Sequence, residues 1–143
     1  MNKYDLQIDV EEGVVLSERA IDTIRVFSGV IDNEVCFALL DDQSLILQYT
    51  DVARNGRETF IADTKTKMDE LLGEMHDFST VVLENGYGLV VTQKILISVI
   101  PPEEAGDHIS LNTALTYRAH ALDACKKRHV LAIVTPQDPV YHD

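Results

Sequence analysis

A chain of 143 residues, 45% hydrophobic and 25% charged, fits one globular domain with a sizeable core. Twenty-four acids against 12 bases give a formal net charge of −12. That charge repels nucleic acid and anionic membranes and makes a basic protein the natural electrostatic partner. No apolar run reaches the ~18 residues of a membrane helix, and MNKYDLQIDVEEG lacks the apolar core of a signal peptide. The expectation is a cytoplasmic protein that binds neither nucleic acid nor membrane.

Residues 4–10 alternate weakly and read as an edge strand, broken by Glu11-Glu12-Gly13. Ser17 is a good N-cap, with Leu16 and Ile21 at the two positions of a hydrophobic staple. Ala20, Ile21, Ile24 and Phe27 form the apolar stripe of that first helix, and Gly29 suits its C′ position. A meander is expected next. Glu34–Leu40 is one strand, Asp41-Asp42-Gln43-Ser44 a turn, and Leu45–Val52 a second strand with Leu45, Leu47 and Tyr49 on one side. Asn55-Gly56 is a hairpin signal, which makes Glu58–Ala62 a third strand with Arg54 and Arg57 flanking the turn. A second helix opens near Thr66, with Thr66 and Asp69 in an N-cap and N3 relation close to a capping box. Its core face is Met68, Leu71, Leu72 and Met75.

Thr80–Pro102 is the longest apolar passage and reads as the organising hairpin. A two-residue turn at Asn85-Gly86 pairs Val82 with Leu89. The second strand runs on to Ile100, with Leu89, Val91, Ile95, Ile97 and Val99 on one face and a bulge or bend at Gln93-Lys94. Pro101-Pro102 stops it. After an acidic loop, Ser110 caps a third helix from Leu111 to about Lys127. Its apolar face is assigned to Leu111, Ala114, Leu115, Ala119, Ala121, Leu122 and Cys125, and cations fill its last turn. Val130–Val134 is a final strand. Residues 1–135 form the single domain and 136–143 a C-terminal tail.

The expected order is therefore (β)-α-β-β-β-α-β-β-α-β. This is an α+β fold with a mainly antiparallel sheet of five to seven strands and three helices.

Chemical motifs are sparse. The five histidines make no H-x3-H or HExxH spacing, and Cys36 and Cys125 belong to no CxxC pair, so no metal site is expected. His120 and Cys125 stand about 140° apart on one helix, a poor arrangement for two ligands. Gly86-Tyr87-Gly88 is explained by the hairpin, and no phosphate cradle or other cofactor motif is present. Both cysteines read as buried thiols, and no catalytic residue is assigned.

Charge carries the main functional expectation. Residues 1–63 hold 13 acids and 5 bases, a balance of −8. The first reading is a small acidic, non-catalytic protein of the immunity or inhibitor type that binds and neutralises a basic protein partner. Its partner-binding surface would be Asp32, Glu34, Asp41, Asp42 and Asp51. A second reading comes from the order α–βββ–α–ββ–α over residues 17–127, which resembles the small acidic chaperones that escort type III secretion effectors. That resemblance implies a homodimer. A third reading is an enzyme with an unrecognised Cys/His or carboxylate site. Its mark would be a concave pocket holding His120 or His129 beside an acid or Cys36.

Overall fold

The computed structural model describes residues 6–28, 35–49, 56–73, 77–92 and 96–136. In chain order these form β1 (Leu6–Val10), α1 (Glu18–Ser28), β2 (Val35–Leu39), β3 (Ser44–Tyr49) and α2 (Arg57–Gly73). There follow β4 (Ser79–Val82), β5 (Gly88–Thr92), β6 (Leu96–Ile100), the single turn α3 (Pro102–Ala105), α4 (Leu111–Lys127) and β7 (Ala132–Pro136). The seven strands make one sheet in the order β1-β7-β2-β3-β6-β5-β4, and every neighbouring pair is antiparallel. The fold is α+β, as its composition of elements requires.

Strand alternation sorts the core into two layers. One face carries Phe37, Leu39, Leu45, Leu89, Ile97, Val99, Ala132 and Val134, and α1 covers it with Ala20, Ile24 and Phe27. Phe27 and Phe37 meet with ring centroids 5.9 Å apart. The other face lies under α2 and α4. Ile46 packs with Met68, Leu71, Ala121, Ala124 and Cys125, while Val90 and Ile100 pack with Ala105, Ile109, Ala114 and Tyr117. The last strand, β7, is an inner strand between β1 and β2, and Ala132, Ile133 and Val134 are buried on both its faces.

Several local expectations need correction. Residues 58–62 are helix, because α2 begins at Arg57 and not at Thr66. Phe60, Thr64, Met68 and Leu71 recur at helical spacing and are all buried. Thr64 breaks the apolar stripe in sequence. In the fold its hydroxyl donates to Phe60 O at 2.8 Å and accepts from Gln48 Nε2 at 2.6 Å. Thr66 is an exposed mid-helix residue whose Oγ1 donates to Ala62 O. Among the described residues the order over 17–127 is thus α–ββ–α–βββ–α–α, counting the single turn α3, not the α–βββ–α–ββ–α on which the chaperone resemblance rested.

The stretch after Gly88 is two strands. β5 and β6 pair antiparallel, Thr92 opposite Leu96, so the chain reverses where only a bend was expected. The register of the β4–β5 hairpin is also one residue away from the expected one, with Val82 opposite Gly88 and Val81 opposite Leu89. Gly86 has φ +91° while Asn85 is not left-handed. Gly86 N donates to Leu83 O, and Leu83 N donates to Tyr87 O at 2.7 Å. That is a three-residue loop with a glycine bulge.

On α1, Ser17 caps as expected, accepting from Ala20 N at 3.0 Å, but Thr23 takes the buried position and Ile21 is 37% exposed. On α4, Ser110 accepts from Thr113 N and Arg128 ends the helix with φ +52°. Its buried face is Ala114, Tyr117, Ala121, Ala124 and Cys125, whereas Leu111 and Leu115 face out at 67% and 39% exposure. Small residues let this helix settle close to the sheet. Gly29, Met75, the side chains of Arg54 and Arg57, and residues 137–143 of the expected tail lie outside what is described.

Candidate functional site

The polar chemistry gathers at one end of the sheet, where the β2–β3 turn, the start of α1, α3 and one flank of α4 meet. Sequence order sets this up. The Asp41-Asp42-Gln43 turn projects past the sheet, and its backbone needs partners there. Asp41 Oδ1 supplies them, accepting from Gln43 N at 2.9 Å and from Ser44 N at 2.7 Å. Asp42 ties the turn to α1. Its Oδ1 accepts from Ser17 Oγ at 2.6 Å and its carbonyl accepts from Thr23 Oγ1 at 2.9 Å.

From the other face of the sheet, Tyr117 on α4 reaches the same place. Its hydroxyl donates to Glu104 Oε2 of α3 and accepts from Arg19 Nη2 of α1 at 3.2 Å. Burial, and then the bond to Glu104, push the Tyr117 phenol up to about 12. Gln43, with its amide turned so that both ends are satisfied, accepts from Arg19 Nη2 at 2.9 Å and from Nε at 3.3 Å. Its amide nitrogen then donates to His120 Nε2 at 3.2 Å. That same ring nitrogen lies 3.0 Å from Asp41 Oδ2. One neutral nitrogen cannot accept from an amide and donate to a carboxylate at once, so the tautomer of His120 and its choice of partner are linked.

Arg19 divides this region into two cavities. One, of about 340 Å³, has Glu18, Asp22 and Glu103 at its rim and Tyr87, Val99 and Pro101 on its apolar wall. The other, of about 290 Å³, is bounded by Gln43, Glu104, Thr116, Tyr117 and His120. The first is dominated by carboxylates and the second is a near-balance of charge. Both sit at the small end of ligand-sized clefts.

Of the five acids singled out in the sequence, Asp41 and Asp42 stand at this end, half-buried and engaged in holding the turn. Asp32, Glu34 and Asp51 lie outside the described residues. Arg19, Tyr117 and Glu104 were not anticipated, since nothing local in the sequence links three elements so far apart. His129 stands elsewhere, bonded to Glu11, and near it Arg128 bonds Asp69. The Arg128 guanidinium beside Asp69 holds that carboxyl below its usual range. Cys36 and Cys125 are both buried, and burial, helped by the charge of Asp41, pushes the Cys125 thiol up to about 12. A thiol held protonated in this way is a poor nucleophile.

Among the described residues, no group of three or more His, Cys, Asp and Glu side chains could hold a metal ion, and no helix is long and apolar enough to cross a membrane. Comparison with known protein families, characterised proteins and solved structures finds no match.

Proposed function

We propose that the protein is a small acidic binding protein, acting in the cytoplasm without catalysis, that captures and neutralises a basic protein partner at the cleft between α1 and α3. The observation that carries this reading is the carboxylate rim of exposed Glu18 and Glu103 and half-buried Asp22, the last paired with Arg25, around an apolar-walled cavity. The inner groups of this end already have partners. Asp41 and Asp42 hold the turn, and Tyr117 is bonded on both sides. They supply a rigid floor, and the outer acids supply the field that steers a cationic partner. The buried Cys125 thiol fits a reducing compartment.

The test neutralises the rim. Exposed ion pairs contribute roughly 0.2–1 kcal/mol each. The triple variant Glu18→Gln, Asp22→Asn, Glu103→Gln is therefore expected to lose roughly 3- to 150-fold in affinity for the partner recovered from the native host. A charge-matched triple on α2 and α4, Asp63→Asn, Glu70→Gln, Asp123→Asn, is expected to bind as wild type. Equal binding by both triples would remove the cleft from the account.

One observation favours a second reading. His120 beside Asp41 at the lip of the 290 Å³ cavity is the arrangement a general base needs. On that reading His120→Asn abolishes turnover of a small substrate. On the binding reading the same variant leaves partner affinity unchanged.

A further inference from the structure

The sheet ends on one side at β4, whose sequence is STVV. Leu83 N donates to Tyr87 O, and hydrogen-bonded pairs alternate along an antiparallel ladder. Ser79 and Val81 therefore bond inward to β5, and the backbone groups of Thr80 and Val82 face outward. No strand covers them among the described residues. Native proteins blunt such edges with charge, proline or a bulge. This edge carries none of these, and Val81 is 45% exposed on it. The uncharged run extends from Phe78 to Leu83 in a chain where one residue in four is charged.

We propose that β4 pairs with β4 of a second copy of this chain across a two-fold axis, joining the two sheets into one. Three features select a second copy over an extended peptide. First, every pair in the sheet is antiparallel, and a two-fold axis normal to the sheet continues that pattern.

Second, the outward groups define a self-complementary register. Thr80 opposite Val82 of the second copy bonds both residues and places the two Val81 side chains face to face at the axis. The same register sets Asp77 opposite Asn85 and Phe78 opposite Glu84, so no two acids stand directly opposed. Two chains of net charge −12 need such a neutral meeting place.

Third, the same side of the molecule carries unpartnered apolar surface on α4. Arg118 lies over the Phe78 ring at 5.5 Å, which turns that flank of the helix towards the β4 edge. Leu111 and Leu115 share the flank at helical spacing, 67% and 39% exposed. A peptide strand would leave them bare. The two-fold keeps both copies of α4 on one face, so the two leucine stripes flank the axis together.

The experiment measures the mass of the full chain by analytical ultracentrifugation across micromolar concentrations. Wild type is expected at twice the chain mass. Val81→Lys, which sets two cations against each other at the axis, is expected at the monomer mass with unchanged circular dichroism. Ile8→Lys, at a comparably exposed site on the opposite edge strand β1, is expected to remain dimeric. Val81→Cys under mild oxidation is expected to give a covalent dimer, since facing residues in a non-hydrogen-bonded pair lie within disulfide reach. Ser79→Cys, off the axis, is expected to give little. A monomeric wild type overturns the proposal, as does a dimer that Ile8→Lys breaks and Val81→Lys leaves intact.

Discussion

The cleft at the end of the sheet and the β4 edge are opposites in how their polar groups are settled. At the cleft, side chains from α1, α3, α4 and the β2–β3 turn are bonded to one another, and three carboxylates stand at the rim, one of them, Asp22, paired with Arg25 at 3.1 Å. At the edge the unsettled groups are backbone, and no charge lies between Phe78 and Leu83. A charged rim over a rigid floor suits an unlike, basic partner. An uncharged edge suits a copy of a chain that otherwise repels itself. The contrast makes salt a discriminator. Added salt screens attraction at the cleft, so partner affinity should fall, while it screens the mutual repulsion of two −12 chains, so self-association should hold or tighten.

The residue that links the two regions is Gly88. It pairs with Val82 of β4 on one side and Ile100 of β6 on the other, and a Cβ there would stand 2.8 Å from Ile109 Cδ1 and 3.0 Å from Ala105 Cβ. Gly88→Ala is expected to cost about 1–3 kcal/mol in denaturant unfolding, the usual range for overpacking, and to weaken both surfaces together. Ser17→Ala removes the α1 cap and the Asp42 contact. It should cost about 1 kcal/mol, loosening the cleft while sedimentation still reports the dimer.

Tyr117→Phe should do least at neutral pH and sharpen the picture in alkali. The folded phenol is raised from 10 to about 12, so the folded state holds that proton more tightly than the unfolded chain. The resulting stability is complete below pH 10 and is lost as pH rises towards about 12. Melting of the variant should fall less steeply over that window. Some slope should remain, because the Cys125 thiol is raised in the same direction.

Much of the scaffold was legible in sequence because it is set locally. Ser17 and Ser110 cap where they should, and Val130–Val134, too apolar for a surface tail, overlaps the observed inner strand Ala132–Pro136. The misreadings come from signals that tertiary contacts decide. Asn85-Gly86 makes a hairpin loop, but Gly56 opens a helix, because Phe60 and Thr64 continue the stripe of Met68 and Leu71. Leu111 and Leu115 looked like core, since apolar spacing alone does not say which flank of α4 the alanines and Tyr117 will claim. Of the cleft, sequence singles out Asp41 and Asp42 as a binding surface and His120 as a catalytic candidate. Arg19, Gln43, Glu104 and Tyr117 come together only once the helices on opposite faces project past the same end of the sheet.

The most direct test places a photo-crosslinking aromatic residue at Tyr87, on the apolar wall of the cleft, and separately at Val81, on the edge, with both variants expressed in the native host. The account predicts an adduct with a basic protein from position 87 and an adduct of twice the chain mass from position 81. The same adduct from both positions, or no foreign protein from position 87, would contradict it.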